Sequence, residues 1–159
     1  MKRAELNRRC RAVLYYSSIV NERFHANSMV APINRAHEYA EHMGLEVREV
    51  FRSKTVDRSE AWAALLERVQ RRKEKHILLP DARCIADAMQ WEALVGRARR
   101  AGAVLHFFYW GVVFHEASSL KDLPPSKDMP IWLHHLRDAE IMVERLEARE
   151  RREAQRSRR

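Results

Sequence analysis

Residues 27–51 read NSMVAPINRAHEYAEHMGLEVREVF, and within them the hydrophobic period changes from that of a helix to that of a strand. Val30, Ile33, Ala36, Ala40 and Met43 recur at spacings of three and four, which predicts a helix over 27–43. Gly44 follows as a C-terminal stop, because glycine adopts the left-handed conformation that ends helices. Leu45–Phe51 then alternates with period two, the pattern of a half-buried strand. A helix that leads directly into a strand is part of a β-α-β crossover, so a further strand is expected upstream, and the apolar run AVLYY at 12–16 supplies it.

Downstream the alternation continues. Ser59 is a candidate N-cap for a helix over 60–70 with Trp62, Leu65, Leu66 and Val69 on one stripe. HILL within 75–79 reads as a third strand. A helix is expected over 87–100, with Met89, Trp91, Leu94, Val95 and Ala98 on its apolar side, and AVLHFF at 103–108 as a fourth strand. YWGVVF at 109–114 fits either one more strand or a turn, and 118–130, which holds three prolines, reads as a loop. The expected fold is therefore α/β, a mostly parallel sheet of about four or five strands flanked by helices and followed by a long C-terminal helix.

That last helix is expected from about Pro130 onward, with proline in its first turn. Trp132, Leu136, Ala139, Val143 and Leu146 stand at alternating intervals of 4 and 3, the seam of a helix that packs on another helix. Such a seam either docks on its own domain or pairs with the same helix of a second copy. Beyond Leu146, EARERREAQRSRR loses the apolar stripe but keeps helix-forming residues and gains arginines.

Charge is concentrated at the ends. Of the net +8, a share of +4 falls within residues 1–11 and +3 within 147–159. A near-neutral body with basic ends suits contact with a polyanion through those ends; solvated tails that only aid solubility are the alternative. The domain division expected is a basic arm over 1–11, an α/β domain over 12–117, a proline-containing loop over 118–130 and a basic helix over 131–159.

Several classes are disfavoured. No run of about 18 apolar residues and no leader pattern occurs, so neither a membrane span nor a signal peptide is expected, and the protein reads as cytoplasmic. Cys10 and Cys84 form no CxxC pair and read as reduced thiols. The eight histidines offer no pair at helical metal-ligand spacing: His134 and His135 are adjacent, and His37 and His42 are five apart. No metal and no cofactor is expected. Only four glycines are present, each isolated, which argues against a phosphate loop and nucleotide hydrolysis. His106 and His115 flank FFYWGVVF, whose aromatics either stack on bases or, more commonly for rings beside a strand, belong to the core.

Taken together, AVLYY, the 27–51 segment, TVDRSEAWAALLERV at 55–69 and HLRDAEIMVERLEARERREA at 135–154 resemble, in order and spacing, the serine recombinase (resolvase and invertase) catalytic domain. The resemblance covers about residues 12–150 and implies a resolvase-like sheet and a long helix through which two copies dimerise and approach DNA. It also implies a chemistry in which a serine hydroxyl attacks a DNA phosphodiester while arginines balance the developing charge. Here the active-site pattern is degenerate. Where the family has Tyr-x-Arg-x-Ser, this chain has Tyr15-Tyr16-Ser17-Ser18-Ile19, and neither register restores both arginine and serine. Where the family has Leu-Asp-Arg-Leu-x-Arg, the stretch Asp81–Asp87 keeps either Arg83 or the acid, Asp81, but not both in register. Pro32 also stands where the family usually has glutamine.

If the protein cuts DNA, the candidates for catalysis are Ser17, Ser18, Arg58 and Arg83. For binding without cutting, the candidates are Arg58, Arg83, Arg149, Arg151, Arg152, Arg156, Arg158 and Arg159, whose guanidinium groups suit phosphate. The expected function is that of a catalytically degenerate, resolvase-like DNA-binding protein, an accessory or regulatory factor that dimerises through Trp132, Leu136, Ala139, Val143 and Leu146. The expected contacts are with the DNA backbone, weakly specific, because the helix-turn-helix module that follows in active members is not expected within this sequence. The alternatives are a divergent minimal recombinase using Ser17 or Ser18, and an interaction module that pairs with an intact recombinase.

Overall fold

Parallel neighbours in a sheet need a crossover between them, and in the computed structural model helices fill that role. The structure describes residues 10–17, 30–53, 60–123 and 129–158. In chain order they form β1 (Cys10–Ser17), α1 (Val30–His42), β2 (Leu45–Ser53), α2 (Glu60–Gln70), β3 (His76–Leu79), a 3-10 turn (Ala82–Cys84), α3 (Ala88–Ala101), β4 (Val104–Phe107), β5 (Val112–Phe114), a second 3-10 turn (Leu120–Asp122) and α4 (Ile131–Arg156). The sheet order is β2-β1-β3-β4-β5. The first four strands run parallel and β5 returns antiparallel to β4.

The continuous apolar runs are the central strands. Residues 12–17 of β1 and 77–79 of β3 are all buried because helices cover both faces there. On one face, Ala36 and Ala40 of α1 pack on Ala12, Leu14, Tyr16, Leu45 and Leu78; two alanines one turn apart let the helix approach closely. On the other, α2, α3 and the start of α4 bring Trp62, Leu65, Val69, Trp91, Leu94 and Leu133 against Val13, Tyr15, Ile77, Leu79, Leu105 and Phe107. Aromatic rings dominate this larger core: Trp91 stacks on Phe107 at 5.9 Å and meets Phe114 edge-on at 5.5 Å. Truncating Trp91, 2% exposed, to alanine is expected to cost about 3–5 kcal/mol.

Local chemistry sets the ends of the elements. Asp87 caps α3 by accepting from the Gln90 N–H at 2.8 Å. Gly102 ends that helix at φ 62°, with the Ala103 N–H bonded to the Ala98 carbonyl at 2.8 Å. Gly44, at φ 70°, ends α1 as its position in the sequence predicts. Pro32 falls in the first turn of α1, where its missing N–H breaks no helical bond.

Some boundaries differ from the sequence reading. β1 begins at Cys10, so Cys10 and Arg11 belong to the sheet and not to an arm. The 109–114 segment divides: Phe108–Gly111 turn, Gly111 at φ 63°, and Val112–Phe114 form the fifth strand. The 118–130 loop holds a 3-10 turn closed by a capping box between Ser119 and Asp122, a local signal that the prolines obscured. Ser59 and the beginning of the expected first helix lie outside the described residues.

Candidate functional site

Parallel sheets present ligands at the carboxyl ends of their strands, and the family-like positions of this chain lie along that edge. Leu79 leads through Pro80 into Asp81, whose carboxylate caps the 3-10 turn by accepting from the Arg83 N–H at 2.8 Å. The Arg83 side chain folds back on the same carboxylate. Its Nε lies 3.0 Å from each oxygen and its Nη2 2.6 Å from Oδ2. Asp81 is 1% exposed and Arg83 15% in their side chains, so this is a largely buried, multiply bonded pair. The Asp-x-Arg spacing that blocks a simultaneous family match thus serves an internal purpose: on a tight turn it brings both groups together.

The turn after β4 is joined to the same place. The Phe108 N–H bonds to the Leu79 carbonyl at 3.0 Å and the Tyr109 N–H to that of Pro80 at 2.9 Å. Tyr109 is thereby held beside Asp81 and Arg83, and the Arg35 guanidinium of α1 stands 5.3 Å from its ring centre. Burial raises the Tyr109 pKa, opposed by Arg35. Cys84 is buried and its Sγ lies 2.9 Å from the Asp81 carbonyl oxygen. Burial first, and then the Asp81 charge, push its pKa well up, so the thiol stays protonated and is a packing group, not a nucleophile. Both cysteines are free.

Ser17 ends β1 in register with Ser53, next to the Tyr16–Arg52 pair of positions. It is fully buried, and its hydroxyl has no hydrogen-bond partner among the described residues. Arg83 is therefore not bonded to it, and its oxygen is withdrawn from solvent. Tyr16 beside it is buried too, and burial raises its phenol pKa, opposed by Arg52. A phosphoryl-transfer site needs an accessible hydroxyl and guanidinium groups aimed at one phosphate. Of the family-like positions among the described residues, Ser17 offers a buried hydroxyl and Arg83 a guanidinium held by its neighbouring carboxylate. Ser18 and Arg58 lie outside the described residues. Arg35, Arg52 and Tyr109 at this edge escape a reading from sequence because they come from separate elements and match no motif.

The second region is α4. Leu133 is fully buried, and Trp132 and Leu136 pack partly buried on the domain core. Glu140 accepts from the Leu120 N–H at 3.2 Å, and Lys121 pairs with Glu144 at 2.9 Å, tying the helix to the second 3-10 turn. Farther along, Ala139 is exposed, as are Met142 (64%), Val143 (53%) and Leu146 (55%). The heptad seam thus divides: Trp132 and Leu136 are taken up by their own domain, together with Leu133, which the heptad count misses because it lies beside the seam. Only Ala139, Val143 and Leu146 remain uncovered, with Met142 beside them. Arg149, Arg151, Arg152, Arg156 and Arg158 are all exposed. Arg149 pairs with Glu153 at 2.9 Å and Arg151 with Glu147 at 3.6 Å, while Arg152, Arg156 and Arg158 have no acidic partner among the described residues. Arg159 is not described.

Between α1 and the sheet, Tyr39 Oη lies 2.8 Å from His106 Nδ1, and His106 Nε2 lies 2.9 Å from His76 Nδ1. With the Tyr39 hydroxyl donating, His106 passes the chain on to His76 and every nitrogen facing inward is satisfied. His106 is only 2% exposed; burial, with His76 alongside, holds its pKa down at about 4. The 106–114 aromatic segment therefore belongs largely to the core and the sheet. No group of three or more metal-ligating side chains occurs among the described residues. No described helix is long and apolar enough to cross a membrane.

This layer arrangement, with its added antiparallel edge and long terminal helix, defines a resolvase-like α/β fold. The chain is similar to a resolvase family site-specific recombinase from Streptococcus pneumoniae, with a TM-score of 0.56 and 17% identity over 94% of this chain and 99% of that one. It also aligns with the C-terminal catalytic domain of ISC1926 TnpA, an IS607-like serine recombinase, at a TM-score of 0.49 and 18% identity over 71% of this chain and 75% of that one. No protein-family model and no curated protein matches the chain. At such identities the likeness is one of fold.

Proposed function

We propose that the protein holds DNA without cutting it, as an accessory or regulatory factor. The end of α4 contacts backbone phosphates, and the uncovered Ala139–Val143–Leu146 stripe pairs with a second copy. The observation that carries this reading is the condition of the arginines. Arg83, the family-like one, is neutralised by Asp81, whereas Arg152 and Arg156 on the helix and Arg158 just past its end are exposed with no acid to hold them among the described residues. Exposed guanidiniums along one helix suit phosphate contacts that release counterions and carry little sequence information. The expected division into a basic N-terminal arm, an α/β domain, a connecting loop and a basic helix is part of this proposal, as is a reducing, cytoplasmic setting in which the exposed Cys10 thiol persists.

The test is to replace Arg152, Arg156 and Arg158 together by glutamate. Three lost phosphate contacts should lower the salt slope of duplex binding by about 3 and the affinity by about two orders of magnitude near 0.1 M salt. In the same series, Leu146→Asp should shift the sedimentation of the protein from dimer to monomer. A tail variant that binds duplex as tightly as the parent overturns the DNA assignment. A protein that binds no duplex but forms mixed dimers with an intact recombinase favours the interaction role.

A further inference from the structure

At the opposite, amino-terminal edge of the sheet, two chain segments far apart in sequence meet: 71–75 (RRKEK), joining α2 to β3, and 97–102 (RARRAG), ending α3. Between them lies an open depression of about 370 Å3 lined by Gln70, Arg72, Arg97, Arg100 and Ala101. The nearby acids are already engaged: Glu74 is buried and pairs with Arg68 at 2.6 Å, and Glu67 pairs with Arg71. Arg72, Arg97 and Arg100 have no acidic partner among the described residues.

Cations at the ends of helices are often explained by the helix dipole, since the last carbonyls attract positive charge. Here three of the last four carbonyls of α3 are taken by other groups. The Gly102 and Ala103 N–H groups bond to the carbonyls of Arg99 and Ala98, and the Lys75 ammonium takes the carbonyl of Ala101. The three lining arginines are left over from that task. One detail favours a built site. Arg72 sits at φ 58°, the left-handed region where a side chain is strained and glycine is usual, yet the position presents a guanidinium.

We propose that this cleft is a phosphate-binding site for a polyphosphate group, separate from both the carboxyl edge and the arginines of α4. Three arginines that line one concave surface offer forked donors to adjacent phosphate oxygens. The same chemistry is presented by a free polyphosphate and by consecutive phosphates of a nucleic acid backbone.

The experiment uses the full chain and inorganic tripolyphosphate as the probe, titrated calorimetrically at constant ionic strength. Saturable binding at one site is expected. It should weaken about tenfold or more in Arg97→Gln/Arg100→Gln and in Arg72→Gly, in line with lost charge-assisted bonds. Arg72→Gly relieves the backbone, so its thermal midpoint should equal or exceed that of the parent, and lost binding there is not lost folding. Duplex binding of the same variants separates the sources. A lower salt slope in the variants identifies nucleic acid as the ligand, and an unchanged slope with tripolyphosphate binding lost identifies a free polyphosphate. No saturable binding in the parent, or binding that survives in both variants, overturns the site, whatever the α4 tail variant does to DNA affinity.

Discussion

Arg83 and the arginines at the end of α4 carry the same guanidinium group and differ in what surrounds it. Arg83 sits on a tight turn at the carboxyl edge, where Asp81, two residues earlier, engages its Nε and Nη2. Arg152 and Arg156 stand on a helix that has already left its domain, Arg158 lies just past its end, and no carboxylate reaches them among the described residues. The contrast teaches that matching a motif arginine is no measure of a phosphate site. What counts is whether the fold leaves the donors unfilled, and the proposed DNA role rests on the tail because the motif arginine is paired with Asp81.

The sharpest way to break the comparison is to remove the acid. Asp81→Asn leaves a largely buried guanidinium without its counter-charge, so urea unfolding should show a loss of about 3–5 kcal/mol. If stability were unchanged and duplex affinity rose, Arg83 would be a phosphate ligand held in reserve and not a structural group.

A second effect comes from the core and must be separated from any loss of DNA binding in acid. His106 has its folded pKa at about 4, below the ordinary value of 6.5, so the folded state takes up its proton later than the unfolded chain does. The stability it supports is complete above pH 6.5 and falls as the pH drops toward 4, by up to about 3 kcal/mol. Unfolding curves at a series of pH values should show that loss, and it should shrink in His106→Phe. A pH-independent midpoint over that range would show that the Tyr39–His106–His76 chain is hydrated in solution.

The smallest effect belongs to Ser17. Its buried hydroxyl lacks a partner among the described residues, so Ser17→Ala should change stability by less than about 1 kcal/mol and leave duplex binding intact. A large loss of binding would return that serine to the function.

Much of the fold is legible in the sequence because its elements advertise themselves locally. The 3.6-residue stripes of α2 and α3, the terminating Gly44 and Gly102, and the fully apolar central strands are each signals within a dozen residues. The strand order and the antiparallel return of β5 are not, since they depend on which surfaces meet after folding. The candidate site is less legible for the same reason. Arg83 reads as a family arginine until the turn geometry shows Asp81 beside it, and Leu133, off the heptad, is what fixes α4 to the core. Summed charge misleads as well. The near-neutral body conceals the Arg72–Arg97–Arg100 cleft, because its acids are spread elsewhere while folding gathers cations from two distant segments.

The central claim, that this fold holds DNA without a covalent step, is tested most directly by titrating a labelled duplex with the full-length protein at several salt concentrations and then denaturing each sample. The account predicts affinity that falls steeply with salt and no protein–DNA band that survives denaturation. A denaturant-resistant adduct that disappears on changing Ser17 or Ser18 to alanine would contradict it and show a working recombinase.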